Sequence, residues 1–388
     1  MRLKLSSLCA LLVPFAMPVA TMALGASHAT PGQSREGCPG PTMSRRTPAQ
    51  EEAQASKAPA IVMEEFHIPS TDAGITLYIR NKHPAGIKQF PANRILLYVH
   101  GGGGSSETSF DLRLNGLSWM DYVAQHGYDA YLVDVRGFGA STWPPQMLEP
   151  PEKNPPVVNT ADAIRDVGST VDFILKRRGV SKVDLLGWSW GTTIMAGYAA
   201  ATAAKVEKLV LYAPSWLYPP GLKLNPASAT PQPEKPLGAY RFDTPDNLEA
   251  ARYMGVPESK RADLIPQGWL DVIQAANFSL DPEGSRHSPP YLRVPNGMII
   301  DYRDNWIVGK PLYDPANIVA PTLIVHAEWD AALPSSQSHE LFAKLTNTPY
   351  KRFVEFGEGT HTIVWEKNRY ELFEVVQQFL DEEYHRDR

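Results

Sequence analysis

The stretch VDLLGWSWGTTIMAGYAA, residues 183 to 200, sets one serine, Ser189, between two tryptophans and two glycines directly after an apolar run. Gly-x-Ser-x-Gly after a strand suits a turn so tight that its central residue is forced into a strained backbone conformation, with room only for glycine at the flanks. A side chain displayed on such a turn is a candidate nucleophile. A serine hydroxyl is weak in that role by itself. It needs a base within hydrogen-bond reach, and the base needs an acid that holds it in the right tautomer. Two downstream loops offer such groups. After the apolar run TLIVH come Ala327-Glu328-Trp329-Asp330, and after RFVEF come Gly357-Glu358-Gly359-Thr360-His361. His361 is the candidate base, and Glu328 and Asp330 are both candidate acids.

The elements that must position these groups alternate along the chain. IVMEEFHI, ITLYIR and RILLYVH read as strands, the last a near-continuous apolar run suited to a strand buried on both faces of a parallel sheet. LSWMDYVAQHG has helical spacing, YDAYLVD is a strand, and TADAIRDVGSTVDFILKRRG is an amphipathic helix capped by Asn159 or Thr160. KVDLLGW leads to Ser189. EKLVLYAP, PTLIVHAEWD and KRFVEF are further strands, and RYELFEVVQQFLDEEY is a closing helix. Strands and helices taking turns predict an α/β fold with a mostly parallel sheet flanked by helices. The alternation breaks over 215–309, an interval dense in proline and aromatics with no buried-strand run of its own. It is too long for a structureless loop, so a lid subdomain over the carboxyl ends of the strands is expected there.

With five segments in order, the chain resembles the α/β-hydrolase superfamily from about Ile61 to the C-terminus. LLYVHGGGGS is similar to the strand and His-Gly oxyanion loop of that family, VDVRGFGAST to its Asp-x-Arg-Gly-x-Gly-x-Ser loop, and GWSWG to its nucleophile elbow. APTLIVHAEWDAALP is similar to the acid-bearing loop and GEGTHTIVWEK to the histidine loop. Ala327 departs from the glycine usual before the acid, a small change in volume. The resemblance implies Ser189 as nucleophile, His361 as base and Asp330 rather than Glu328 as acid. The oxyanion then needs two backbone N–H donors. Trp190 should give one and Gly102 the other, with Gly103 its neighbouring possibility. His100 is expected to fix the glycine loop, and Asp134 and Arg136 to organise the loop beside it. Trp188 is expected to pack behind the elbow, while the role of Trp190's side chain is left open. Trp216, Tyr218, Tyr240 and Trp269 are candidates to line an apolar pocket or to build the lid's own core.

Composition narrows the partners. The 388 residues carry 43% hydrophobic side chains and a formal charge of −5, with no basic face for nucleic acid. Arg2 and Lys4 precede an apolar run to Leu24 and the small residues Ser27 and Ala29, which reads as a signal peptide over 1–29. Pro14 and Pro18 suit a membrane-spanning helix poorly. An export signal implies a secreted or periplasmic protein; a start at Met43 would instead make it cytoplasmic. Residues 30–58 read as a disordered linker. The hydrolase core is expected over 59–214 and 310–388. The cysteines are Cys9 and Cys38, so signal removal leaves no disulfide partner. Neither a metal nor a cofactor is called for, because no CxxC or HExxH pattern occurs and the histidines lack ligand spacing.

The expected activity is hydrolysis of a carboxylic ester or lactone, a small-molecule substrate, through an acyl-enzyme. Two other chemistries would use the same three side chains. One is that of an exopeptidase, since SWG and VNTADAIRDV resemble the proline iminopeptidases, with Asp246, Glu249 and Glu258 available to hold a substrate ammonium. The other is that of a cofactor-free haloperoxidase or perhydrolase.

Overall fold

The computed structural model describes residues 59–218 and 236–384. The expected signal peptide and linker lie outside the described residues, as does part of the expected lid. Strands β1 (Ile61–Pro69), β2 (Thr76–Pro84), β3 (Ile95–Val99), β4 (Asp129–Val133), β5 (Val183–Trp188) and β6 (Val206–Tyr212) come first. A short pair, β7 (Tyr240–Asp243) and β8 (Leu292–Pro295), follows, and β9 (Thr322–Ala327) and β10 (Lys351–Phe356) close the series. Eight strands form one sheet in the order β1-β2-β4-β3-β5-β6-β9-β10. The β1–β2 and β2–β4 pairs are antiparallel, and every pair from β4 to β10 is parallel.

Every residue of β3, β4, β5 and β9 is buried, which is why these runs read as apolar throughout rather than alternating. The period of two divides them between two cores. On one face Ile95, Leu97 and Val99 meet Val167, Val171 and Ile194; on the other Leu96 and Tyr98 meet Trp119, Val123 and Phe373. The first set belongs to helices α3 and α4 and the second to α2 and α10, in the series α1 (Ser106–Phe110), α2 (Trp119–Gln125), α3 (Thr160–Arg178), α4 (Trp190–Ala201), α5 (Pro245–Arg252), α6 (Glu258–Arg261), α7 (Trp269–Ser279), α8 (Gly297–Asp304), α9 (Ser335–Lys344) and α10 (Arg369–Asp381).

Polar tethers finish the frame. Lys82 is buried between Asp111 and Asp121, with Nζ 2.5 and 2.7 Å from their carboxylates. Helix α3 begins at the capping box of Asn159 and Asp162 and stops at Gly179, whose φ of 67° is the left-handed turn that glycine adopts without a Cβ clash.

The interval between β6 and β9 differs from the expectation in one respect. It contains the antiparallel pair β7 and β8, with Tyr240 opposite Pro295 and Asp243 opposite Leu292, and all four residues of β8 are buried. Strands of four residues are too short to show a period, and their partners lie about fifty positions apart, so the pairing leaves no local signal. The insertion rests on the core through Gly297 N, which donates to Val157 O at 2.8 Å, and through Asp301, whose Oδ2 accepts from Thr160 N at 2.7 Å.

Replacing Asn159 with alanine removes the acceptor for the Asp162 N–H at the start of α3. Chemical denaturation is expected to show a loss of about 1 kcal/mol, the usual worth of such a cap.

Candidate active site

Ser189 sits at the carboxyl end of β5, beside the end of β3, where the sheet order turns back on itself. In open α/β sheets ligands bind at that crevice. Its backbone has φ 56° and ψ −123°, a region that costs a non-glycine residue roughly 1–3 kcal/mol. The surroundings hold it there: its N–H donates to Tyr212 O at 3.0 Å, and its carbonyl accepts from Thr192 N and Oγ1 at 2.9 and 2.5 Å. The flanking glycines are required by close approach. A Cβ at Gly187 would collide with Gly191 O, and one at Gly191 would lie 2.5 Å from both Val99 O and His100 O. Helix α4 therefore starts flush against β3, with Trp190 as its first residue directly after Ser189.

The candidate base and acid arrive from β10 and β9. His361 Nδ1 lies 2.7 Å from Asp330 Oδ2. Asp330 is buried, and its other oxygen accepts from Ala332 N and Leu333 N at 3.1 and 3.0 Å, so a carboxylate there is fully bonded. Glu328, the alternative acid, is exposed and accepts from Glu358 N at 3.0 Å, so it ties the acid loop to the histidine loop. Among the described residues no hydrogen bond joins Ser189 Oγ to His361, and such contacts are often long in ligand-free sites.

Two aromatic side chains grip the His361 main chain. Trp188 Nε1 and Tyr212 Oη both donate to the His361 carbonyl, at 3.0 and 2.9 Å. Their rings stack at 5.7 Å with 9° between planes. Trp188 therefore packs, as expected, and also anchors the loop. Trp190 turns the other way: it is fully buried, with Nε1 donating to Thr160 Oγ1 at 2.9 Å, so its side chain fills space behind the elbow. Beneath the histidine loop Glu366 is buried and accepts from Thr360 N at 3.1 Å, Thr362 Oγ1 at 3.1 Å and Thr360 Oγ1. Burial pushes its carboxyl up to about 7, against the pull of the threonine donors and with a further push from Asp330.

Across the crevice lies the glycine loop after β3. A Cβ at Gly101 would be 2.8 Å from Ser189 Cβ, so only glycine lets the loop come this near. His100 is buried and neutral, its pKa pushed down to about 4 by burial. With Val135 N donating to Nε2 at 3.3 Å, Nδ1 carries the proton and donates to Gly101 O at 2.6 Å. That bond orients the peptide joining Gly101 to Gly102, and hence the Gly102 N–H on its other edge. Gly103 has open space around its Cα. Asp134 accepts from Ser106 N and Ala140 N at 2.8 and 3.1 Å, and Arg136 pairs with buried Asp166. Both organise neighbouring loops, as expected.

The insertion's aromatics pack among themselves and against the core. Trp216 lies on Tyr313 at 5.2 Å, Tyr218 on Tyr302 at 4.8 Å, Tyr240 on Phe242 at 5.4 Å, and Trp269 carries the Arg369 guanidinium at 5.5 Å. Tyr212 and Glu366 were not singled out by sequence reasoning, since each acts through a tertiary contact that no local pattern announces. Among the described residues no group of three or more His, Cys, Asp or Glu is placed to hold a metal ion.

A family model described as alpha/beta hydrolase fold matches residues 94–252. The chain is 25% identical over 277 residues to a 2-hydroxy-6-oxononadienedioate/2-hydroxy-6-oxononatrienedioate hydrolase of Cupriavidus pinatubonensis, covering 70% of this chain and 81% of that protein. Among solved structures, a serine hydrolase from the polyaromatic-hydrocarbon-degrading Cycloclasticus zankles superposes with a TM-score of 0.54 at 18% identity, covering 82% of this chain and 98% of the other. An esterase from Exiguobacterium antarcticum superposes with a TM-score of 0.52 at 16% identity, covering 82% of this chain and 100% of the other. At such identities the superpositions show the fold alone.

The raised carboxyl of Glu366 sets a pH prediction. Between the ordinary value of 4.5 and about 7 the unfolded chain has lost this proton and the folded chain keeps it. The folded state is therefore stabilised at low pH and loses that advantage as pH rises through about 7. Glu366→Gln imitates the neutral carboxyl. Denaturation at pH 5 and pH 7.5 is expected to show a smaller fall in stability for the variant than for the wild type.

Proposed function

The chain belongs to the α/β-hydrolase superfamily, and from that premise we propose that it is a serine hydrolase of carboxylic esters or lactones working through an acyl-enzyme. The observation that carries the reading is the bond from His361 Nδ1 to buried Asp330, on loops at the same end of the sheet as a serine strained into a tight elbow. In this reading Ser189 Oγ attacks the substrate carbonyl and His361 Nε2 takes its proton. Asp330 holds the ring in the Nδ1–H tautomer and stabilises the imidazolium that forms. The N–H groups of Gly102 and Trp190 receive the developing oxyanion. The imidazolium then protonates the leaving alkoxide, and water repeats the sequence in reverse to free the acid.

An ester is favoured over an aminoacyl bond by the state of the insertion's carboxylates. An exopeptidase must present one to a substrate ammonium inside a closed site. Asp246, Glu249 and Glu258 are all exposed. Asp243 is paired with Arg241, Asp281 with Arg293, and Asp301 is bound to Thr160 N. Among the described residues of the insertion, then, no buried carboxylate is left over for an amine. The insertion serves as the lid, covering the acyl side of the site.

Ser189→Ala and His361→Ala are expected to abolish turnover of p-nitrophenyl esters and labelling by a fluorophosphonate, with unchanged thermal melting. Asp330→Asn should lower kcat on the order of 10⁴-fold, as in serine proteases. Glu328→Gln should leave kcat close to wild type, and a larger loss there than at Asp330 would reverse the choice of acid.

A second measurement separates ester from aminoacyl substrates. Lengthening the acyl chain by a few methylenes should raise kcat/KM, since each buried CH₂ contributes roughly 0.8 kcal/mol. A proline anilide and its N-acetyl form should both be poor. Turnover of the free-amine anilide above that of every ester would overturn the ester reading and leave the three side chains in their roles.

A further inference from the structure

The β7–β8 pair of the insertion reaches the glycine loop. Arg241 Nη2 donates to Gly102 O at 2.8 Å. The guanidinium is itself held on both strands of the pair: Nε donates to Asp243 Oδ1 at 3.1 Å on β7, and Nη1 to Pro295 O at 3.3 Å on β8. Met298, on the helix that follows β8, closes over the same glycine, so that a Cβ at position 102 would collide with its sulfur.

These contacts divide the support of Gly102 between two parts of the molecule. The core, through His100, holds the peptide that enters Gly102 by bonding Gly101 O. The insertion, through Arg241, holds the peptide that leaves it by bonding Gly102 O. Peptide units are rigid planes joined by two soft dihedrals per residue, and glycine restrains those dihedrals least of all. With both planes gripped, φ and ψ of Gly102 are set, and with them the direction of its N–H. With the second grip released, the glycine is free to swing.

We propose that Arg241 is a positioning residue of the oxyanion hole, through which the insertion helps set the aim of the Gly102 donor. This rests on the Ser189 mechanism above and makes the insertion a part of the catalytic apparatus as well as a cover. A donor that matters only when the carbonyl oxygen becomes an oxyanion acts on the transition state and leaves ground-state binding alone. Removing an oxyanion donor outright costs about 10²–10³ in kcat, so mis-aiming one is expected to cost about 10–100-fold.

The test uses the full chain with Arg241→Met, Arg241→Lys and Asp243→Asn, each measured with p-nitrophenyl butyrate. Each is also titrated with a butyl trifluoromethyl ketone, which adds Ser189 to form an oxyanion, and with the matching secondary alcohol, which does not. Arg241→Met should lower kcat about 10–100-fold with KM within about twofold. Affinity for the ketone should fall by the same factor, and affinity for the alcohol should stay. Arg241→Lys, which keeps a cationic donor, should recover part of the loss. Asp243→Asn, which frees the guanidinium to turn, should fall between wild type and Arg241→Met. An unchanged kcat, or a loss expressed in KM and shared equally by ketone and alcohol, overturns the proposal. If Arg241→Met does not melt cooperatively, the ketone-to-alcohol ratio of the other two variants decides it. Ser189→Ala, run alongside, separates the two levels: an active Ser189→Ala defeats the mechanism itself, whereas an inactive one beside wild-type kcat in Arg241→Met defeats only the role of Arg241.

Discussion

The site depends on a contact between backbones. At the end of β5 the chain reverses into α4 with its first turn pressed on β3, close enough that a single methyl at Gly191 would meet two main-chain oxygens. That pinch forces Ser189 into its strained positive-φ conformation and starts the helix immediately after it. The strain, roughly 1–3 kcal/mol, would unwind an isolated turn. Here it is outweighed by the strands on either side, where each fully buried aliphatic side chain contributes about 1.5–3 kcal/mol. The five residues of β3 and the six of β5 are all buried. The elbow is held shut by the core beneath it, and no interaction of its own would suffice.

His361 is placed by a different device. Its ring meets Asp330, but its main chain is gripped by Trp188 and Tyr212 from the sheet, and the loop is gathered from below by Glu366 through two threonines. The candidate acid, the candidate base and the base's anchors thus come from four strand ends, and the insertion touches their loops from outside, through Lys260 on Glu358 and Tyr218 on Ala332 O. The Gly102 side of the crevice is supported differently, from the core by His100 and from the insertion by Arg241.

Much of this was legible in the sequence, for identifiable reasons. Strands buried on both faces must be apolar without a break, so β3, β5 and β9 announce themselves. The flanks of an elbow admit only glycine, which makes Gly187 and Gly191 visible around Ser189. Asp330 and His361 lie just past strand ends, where loops bearing functional groups emerge. The asparagine at 159 is a cap of the usual kind. What stayed hidden acts across long sequence separations. The β7–β8 pair is too short for periodicity, and Arg241 acts through the carbonyl of a glycine, an atom that every residue has. Tyr212 looks like one more apolar residue of a buried strand, and Glu366 like one more charge in a polar stretch. Trp188 could be read as packing because the hydrogen bond from its indole ends on main chain.

The pairing of β5 with β6 contains an irregularity. Val183 lies opposite Val206, but Leu185 lies opposite Leu209, so β6 carries one residue more than its partner over that interval. The extra residue brings Trp188 level with Tyr212, on the same face, where both can reach one carbonyl. In a strictly regular pairing Trp188 would face Leu211, and Tyr212 would be displaced along the strand. Side chains on adjacent positions point to opposite faces, so a slip of one would part the two donors. On the proposed mechanism turnover is therefore a readout of sheet alignment: a chain that collapses with its strands out of step could be compact and greasy inside, yet it would have nowhere to hang its histidine.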